Sequence, residues 1–325
     1  MATSFSTDRS CGYCGQTNSR LLYETTTTEA DTFSFRRCVD CRAVFLAPRP
    51  TAERLAQAYD SSYYGPGNRK FIAPIERVID AFRSGRARQV ATGLAPQARV
   101  LDIGCGNGGF LQGLARLGFD AHGIELAGAS GERAAAIDNI SVHIGSLEDS
   151  PYIGEQFDAV TMWHVLEHLV DPRKTLAATA DMLRPGGRLH VSLPNVDSWQ
   201  CRLFRGSWLH HDPPRHLFYL GPDELTREIE HLGFRRTEVN FQSLEQNPFG
   251  WFQSLLNCVE PTRDALFESL KGSTKVAEQP HRIPLAAQKA LFYGSYPLFA
   301  ALAAIEARAG RGGTMELTFE RVDEQ

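Results

Sequence analysis

Arg99-Val100-Leu101-Asp102-Ile103-Gly104-Cys105-Gly106-Asn107-Gly108 is the stretch on which the fold turns. Its first five residues read as a buried strand, and an apolar helical pattern from Gly109 to Leu117 follows the glycines. An acid, Asp102, sits at the strand end. Gly104 and Gly106 allow backbone shapes and a close approach that a Cβ would block, and the following helix offers its N-terminal amides.

Outward from this loop the pattern repeats as strand, loop, helix. Strands are expected at Ala121 to Glu125, Ser141 to Ile144, Phe157 to Met162 and Arg188 to Leu193. A helix is expected from Pro172 to Leu183, followed by a turn at Pro185-Gly186-Gly187. A late strand pair, Phe234 to Phe241 and Met315 to Arg321, brackets a mostly helical insertion at about 245–312. This alternation predicts an α/β fold with a doubly wound, Rossmann-like parallel sheet. In such sheets ligands bind outside the carboxyl ends of the strands. Glu125 ends the second strand, where a carboxylate can accept from both hydroxyls of a ribose. Gly145-Ser146-Leu147-Glu148 follows the third strand, with Leu147 placed to lie against an adenine; Trp163 and His164 follow the fourth.

The loop reads D-x-G-x-G-x-G rather than a bare G-x-G-x-x-G. A carboxylate or carbonyl for an ammonium, beside free amides for a carboxylate, suits the amino-acid end of S-adenosylmethionine. The ordered series Val100 to Gly108, Gly123-Ile124-Glu125, Phe157-Asp158, His164-Val165-Leu166-Glu167-His168 and Leu183-Arg184-Pro185-Gly186-Gly187 resembles the class I S-adenosylmethionine-dependent methyltransferases. Its nearest likeness is to the ubiquinone-biosynthesis-like O-methyltransferase branch, over residues 95–240. The resemblance implies that Asp102, Gly104, Glu125, Leu147 and Trp163 contact the cofactor, with Gly106 and Ser146 beside them. Some members of that branch hold a divalent ion with a Glu/Glu/His cluster. In this chain Glu167 and His168 match it, and His164 stands in place of the first Glu.

Two C-x-x-C knuckles, Cys11-Gly12-Tyr13-Cys14 and Cys38-Val39-Asp40-Cys41, open the chain. Together they can complete a tetrahedral shell of four thiolates, and short strands around Leu21-Leu22-Tyr23 and Phe33-Ser34-Phe35 lie between them. The layout is that of a zinc ribbon. Four protein ligands leave no open position, so the zinc is expected to be structural. The unit also resembles a zinc-binding module that precedes some bacterial methyltransferases, in which Gly often stands where this chain has Arg42. Cys105, Cys201 and Cys258 read as isolated small residues. Basic and acidic residues nearly balance in the ribbon, and the whole chain carries a net charge of -4, so a nucleic-acid partner is not expected.

The predicted organisation is a ribbon at 1–50, a helical lead-in at 51–94 and a methyltransferase domain at 95–325. The lead-in has Thr51 as an N-cap, a break at Gly65-Pro66-Gly67-Asn68, and apolar Ile75, Val78, Ile79 and Phe82 at helical spacing. The N-terminus lacks the apolar run of a secretory signal, which leads to the expectation of a cytoplasmic protein.

The expected reaction is methyl transfer to a small-molecule acceptor, with a hydroxyl oxygen favoured. Carbon or nitrogen transfer on a sugar or natural-product scaffold is an alternative, as is a non-catalytic cofactor-sensing docking protein. A hydroxyl acceptor benefits from a base of near-neutral pKa, which points to histidine. His216 is the first candidate, in the segment Trp208 to Tyr219, read as an acceptor lid or as an aromatic anchor. His164 and His168, one turn apart if their segment is helical, are the others. The apolar stretch Leu291 to Ile305 is shorter than the roughly 20 residues that span a bilayer. It is expected to be a buried helix, with an interfacial helix making peripheral membrane contact as the alternative.

Overall fold

The computed structural model describes residues 9–27, 31–58, 73–273 and 275–322. The turn expected at Gly65 to Asn68, and the side chain of Ile75, lie outside the described residues.

The central sheet has seven strands. In chain order these are β4 (Arg99–Ile103), β5 (Asp120–Glu125), β6 (Ser141–Ile144), β7 (Phe157–Trp163), β8 (Leu183–Pro194), β10 (Phe234–Asn240) and β11 (Thr314–Arg321). Their spatial order is β10-β11-β8-β7-β4-β5-β6, parallel throughout except for β11, which runs antiparallel to both neighbours. The order reverses between β4 and β7, so the loops leaving these strands part to opposite faces and open a crevice at their carboxyl ends. The sequence-predicted α/β doubly wound sheet is therefore present, with β11 making it mixed.

Helices α3 (Gly109–Arg116), α4 (Ala129–Ala135), α5 (Pro172–Met182) and α7 (Pro222–Glu230) cover the sheet. Phe110, Leu111 and Leu114 of α3 pack with Val100, Ala121 and Ala159 of the strands. Two lead-in helices are present, α1 (Ala52–Ala58) and α2 (Ala73–Ala91). The Arg54 amide donates to Thr51 Oγ1 at 3.2 Å, as expected of an N-cap. Among the described side chains α2 reaches the core through Ala87 and Val90; Ile79 and Phe82 are partly buried and Val78 is exposed.

A second, four-stranded sheet holds the N-terminal unit: β1 (Ser19–Thr26), β2 (Thr32–Cys38), β3 (Val44–Ala47) and β9 (Phe218–Tyr219), in that order and all antiparallel. The fourth strand comes from far along the chain. Phe33, Phe35, Val44 and Leu46 form one core with Val196, Cys201, Trp208 and Tyr219, and Cys11, Tyr13, Cys38 and Phe45 join the core of the main sheet.

The insertion between β10 and β11 contains α8 (Asn247–Val259), α9 (Ala265–Leu270) and α10 (Leu285–Arg308). It stands at the carboxyl edge, because β11 begins opposite Pro194, the last residue of β8. Short α6 (Trp199–Phe204) ties the two together. The expected burial of the apolar C-terminal helix is corrected here. α10 is 24 residues long, and only Gln288, Phe292, Ala303 and Glu306 on it are buried. By length and composition it could cross a membrane. One narrow side faces the protein and the other is left outside.

Candidate active site

The loop after β4 and the segment after β7 meet at the crevice. Gly104 has φ +74°, and a Cβ there would lie 2.4 Å from Val165 Cγ2. The two loops thus approach so closely that only glycine fits. Asp102 is buried beneath them and accepts from Thr161 Oγ1 at 2.6 Å. Burial raises its carboxyl to about 7; the Thr161 bond opposes that shift and the nearby Glu125 charge adds to it.

Glu125, at the end of β5, closes on the glycine loop: Oε2 accepts from the Gly106 amide at 2.6 Å and Oε1 from Leu126 at 3.1 Å. Burial raises its pKa against these two bonds. Ser146 donates to Asp149 at 2.8 Å, and Leu147 is buried in the main core. Trp163 lies edge-on to Phe110, with centroids 5.6 Å apart, and the Arg86 guanidinium stands 5.4 Å from its ring. All seven sequence-predicted cofactor residues lie on the loops after β4 and β6 or in the last residues of β4, β5 and β7. Arg86 is an addition that sequence reading missed, since nothing in a helical lead-in marks it.

The second part of the site centres on Glu167, fully buried in a single 3₁₀ turn, Leu166–His168. Neither of its oxygens accepts a well-formed hydrogen bond among the described residues. Imidazoles surround it instead: His164 Nδ1 stands 3.3 Å away and His216 Nε2 4.0 Å. Burial alone would raise its pKa, but the His164 contact and the charges of His168, His164 and His216 outweigh it and hold the carboxyl at about 2. His164 and His168 are not related by a regular helical turn, because His164 sits at φ +55°, in left-handed backbone before the 3₁₀ turn. Its side chain is 27 % exposed, whereas that of His216 is 10 %.

His216 is held from behind, its Nδ1 2.8 Å from the His210 carbonyl; His168 Nδ1 is 3.1 Å from the Arg215 carbonyl. Burial lowers His168 to about 4 and His210 to about 3, and lowers His216 as well. Glu167, His168 and His216 each bring one ligand atom within 4.8 Å of the others. That donor set, two imidazoles and a carboxylate lacking hydrogen bonds, fits a divalent ion.

The Trp208 to Tyr219 segment is not a surface lid. Trp208, His211 and Tyr219 are fully buried, and the His211 ring stacks on Phe35 of the ribbon at 4.0 Å. Tyr23 Oη lies 2.7 Å from His211 Nε2, and the Tyr219 hydroxyl donates to the His210 carbonyl at 2.8 Å. Arg263, from the insertion, caps the segment by donating to the Trp208 and His211 carbonyls at 2.7 and 2.9 Å. The aromatic anchor is the role the packing supports.

The four knuckle cysteines converge. Cys11 Sγ to Cys41 Sγ and Cys14 Sγ to Cys38 Sγ are both 3.6 Å. Bonds of about 2.3 Å to a tetrahedral ion place sulfurs roughly 3.8 Å apart, so the four fit one metal, whereas a disulfide needs about 2.05 Å. The Cys41 contact lowers Cys11 to about 5. Arg42 takes φ +63°, the left-handed conformation a glycine would adopt freely, and its Nε donates to Glu224 Oε1 at 2.7 Å.

Comparison with known proteins agrees with this geometry. Residues 74–239 match the family described as "Methyltransferase domain". The ubiquinone biosynthesis O-methyltransferase of Cereibacter sphaeroides is 31% identical over 170 residues, covering 48% of this chain and 67% of that protein. The enzyme of the same name from Xanthomonas campestris is 34% identical over 158 residues, covering 46% and 65%. Among solved structures, geranyl diphosphate C-methyltransferase from Streptomyces coelicolor aligns at TM-score 0.48 and 15% identity, over 77% of this chain and 82% of that one. The chain belongs to the class I methyltransferase family, and it is an S-adenosylmethionine-dependent methyltransferase.

Proposed function

We propose that this enzyme methylates a hydroxyl oxygen of a small-molecule acceptor, with His164 as the base. The observation that carries this is the pairing of a partly exposed imidazole after β7 with a buried carboxylate that has no hydrogen-bond donor among the described residues. Glu167 holds His164 through Nδ1, leaving Nε2 to accept. The acceptor oxygen bonds to the methyl carbon as the S–CH3 bond breaks, and its proton passes to His164. S-adenosylhomocysteine leaves as a neutral thioether. His216, the first candidate from sequence, is buried beside Glu167 and in this reading serves as a positioning residue together with His168. The O-methyltransferase relatives support oxygen as the acceptor atom.

His164→Ala should lower kcat about 10²- to 10⁴-fold while S-adenosylhomocysteine affinity changes little. Unchanged turnover in that variant would refute the base assignment. A second reading rests on Glu167, His168 and His216: these residues would hold a divalent ion, which would supply Lewis-acid chemistry for a hydroxyl acceptor.

For the cofactor, Asp102 and Glu125 are proposed to hold the amino-acid and ribose ends against the glycine loop, whose Gly104 and Cys105 amides donate to the Ile124 carbonyl and whose Gly106 amide donates to Glu125, with Ser146, Leu147 and Trp163 beside the adenine side. Asp102 gives a pH test. Its pKa of about 7 in the folded chain means that it gains charge as pH rises through neutrality. A ligand ammonium favours that charged form, so S-adenosylhomocysteine affinity should climb between about pH 6 and 8. Without ligand the sign is opposite: the raised pKa favours the folded state at low pH, and that contribution is lost as pH rises toward 7. Asp102→Asn should flatten both trends, as calorimetric titration and thermal melts can show. For the ribbon, the proposed ion is zinc.

A further inference from the structure

The outer face of α10 is apolar along most of its length. Leu291, Leu298 and Ile305 recur every seven residues and are 52, 67 and 55 % exposed, with Gly294 and Ala301 between them on the same stripe. Tyr293 adds a ring that is 58 % exposed. The opposite side is fixed to the protein. Glu306 accepts from the Gln200 amide, the Gln200 side chain and Trp251 Nε1 at 2.9 to 3.1 Å, and Phe292 packs with Phe252, Leu256 and Leu266. A helix held this way lies along the surface and does not leave the domain to cross a bilayer.

Charge decides what covers the stripe. Between residues 279 and 313 the only acid is the buried Glu306, while Arg282 and Lys289 flank one end of the face and Arg308 and Arg311 the other. None of these four has an acidic partner among the described residues, in a chain whose net charge is -4. A second copy placed on the stripe, in either direction, would bring basic ends against basic ends. An apolar strip with cationic ends instead matches acyl chains framed by anionic headgroups. Trp199 and Leu203, one turn apart on α6, add exposed apolar surface near Arg311, whose carbonyl accepts from the Trp199 amide.

We infer that α10 is a monotopic docking helix that seats this enzyme on an anionic bilayer surface. Because the insertion stands at the carboxyl edge, docking brings the cofactor crevice close to the membrane. The inference is independent of which residue acts as base.

The test is co-sedimentation of the full chain with phosphatidylcholine vesicles, with and without a third of phosphatidylglycerol. Binding to the anionic vesicles should exceed that to neutral ones at least about ten-fold and fall at high salt. Leu298→Glu with Ile305→Glu should abolish sedimentation while leaving the melting temperature intact. Lys289→Glu with Arg308→Glu should remove only the preference for anionic lipid. Wild-type protein that stays in the supernatant with anionic vesicles would overturn the proposal. So would a concentration-dependent dimer, in sedimentation velocity, that the Leu298→Glu/Ile305→Glu variant dissolves.

Discussion

The N-terminal ribbon and the C-terminal insertion are both additions to the same sheet, yet they treat their apolar residues in opposite ways. The ribbon turns Phe33, Phe35 and Phe45 fully inward, and completes its sheet with β9 from the methyltransferase domain. The insertion is tied down by a few buried polar groups, Glu306 and Asn247 foremost, and leaves Leu298 and Ile305 outside. A unit of about fifty residues cannot bury enough surface alone and gains stability from thiolate ligation and from docking. The insertion contains longer helices whose backbone hydrogen bonds are met internally, so a face can stay unburied. The ribbon also reaches the site: the Leu46 amide donates to the Leu217 carbonyl, and the Leu217 amide donates to the Glu167 carbonyl.

The largest expected effect comes from the ribbon's ligands. Elemental analysis should find one zinc per chain, lost in Cys38→Ser. That loss should lower the melting temperature by about 10 °C or more and reduce turnover further than cofactor affinity. A second metal equivalent lost in His216→Ala would favour the divalent-ion reading of the Glu167 cluster. A ribbon-free protein with normal activity would break the comparison. The next contrast pairs two substitutions. Trp208→Ala, in the shared core under the ribbon, should destabilise by about 3–5 kcal/mol. Leu298→Glu, on the outer face of α10, should stay within about 0.5 kcal/mol. Denaturant titrations of both variants measure the difference directly; equal effects would mean that the insertion is packed like the ribbon.

Local chemistry was legible where local spacing carried it. The glycine loop, Glu125 and the two C-x-x-C knuckles each place their groups through a few consecutive residues, and the structure holds them at the expected turns. Arg42 shows the limit of that reading: a position where the resembled module often has glycine carries arginine, yet the backbone still takes the left-handed turn. The His cluster was not legible. Three imidazoles, His164, His168 and His216, were visible as candidates, but their ranking depends on how far each is open to solvent. His164 is the more exposed of the pair flanking Glu167 and His216 the more buried, which is why His164 is the proposed base. β9 was hidden as well, because Leu217-Phe218-Tyr219-Leu220 is an apolar run that fits a helix, a strand or a core loop equally.

By itself, then, the sequence determined the sheet, the cofactor loop and the thiolate knuckles, since each rests on short-range periodicity, backbone freedom or ligand spacing. Only the tertiary structure decided which histidine beside Glu167 is the more exposed, which strand completes the ribbon and which side of α10 stays outside. Those outcomes depend on contacts between residues tens to hundreds of positions apart, and burial is a property of the packed chain that no local window contains.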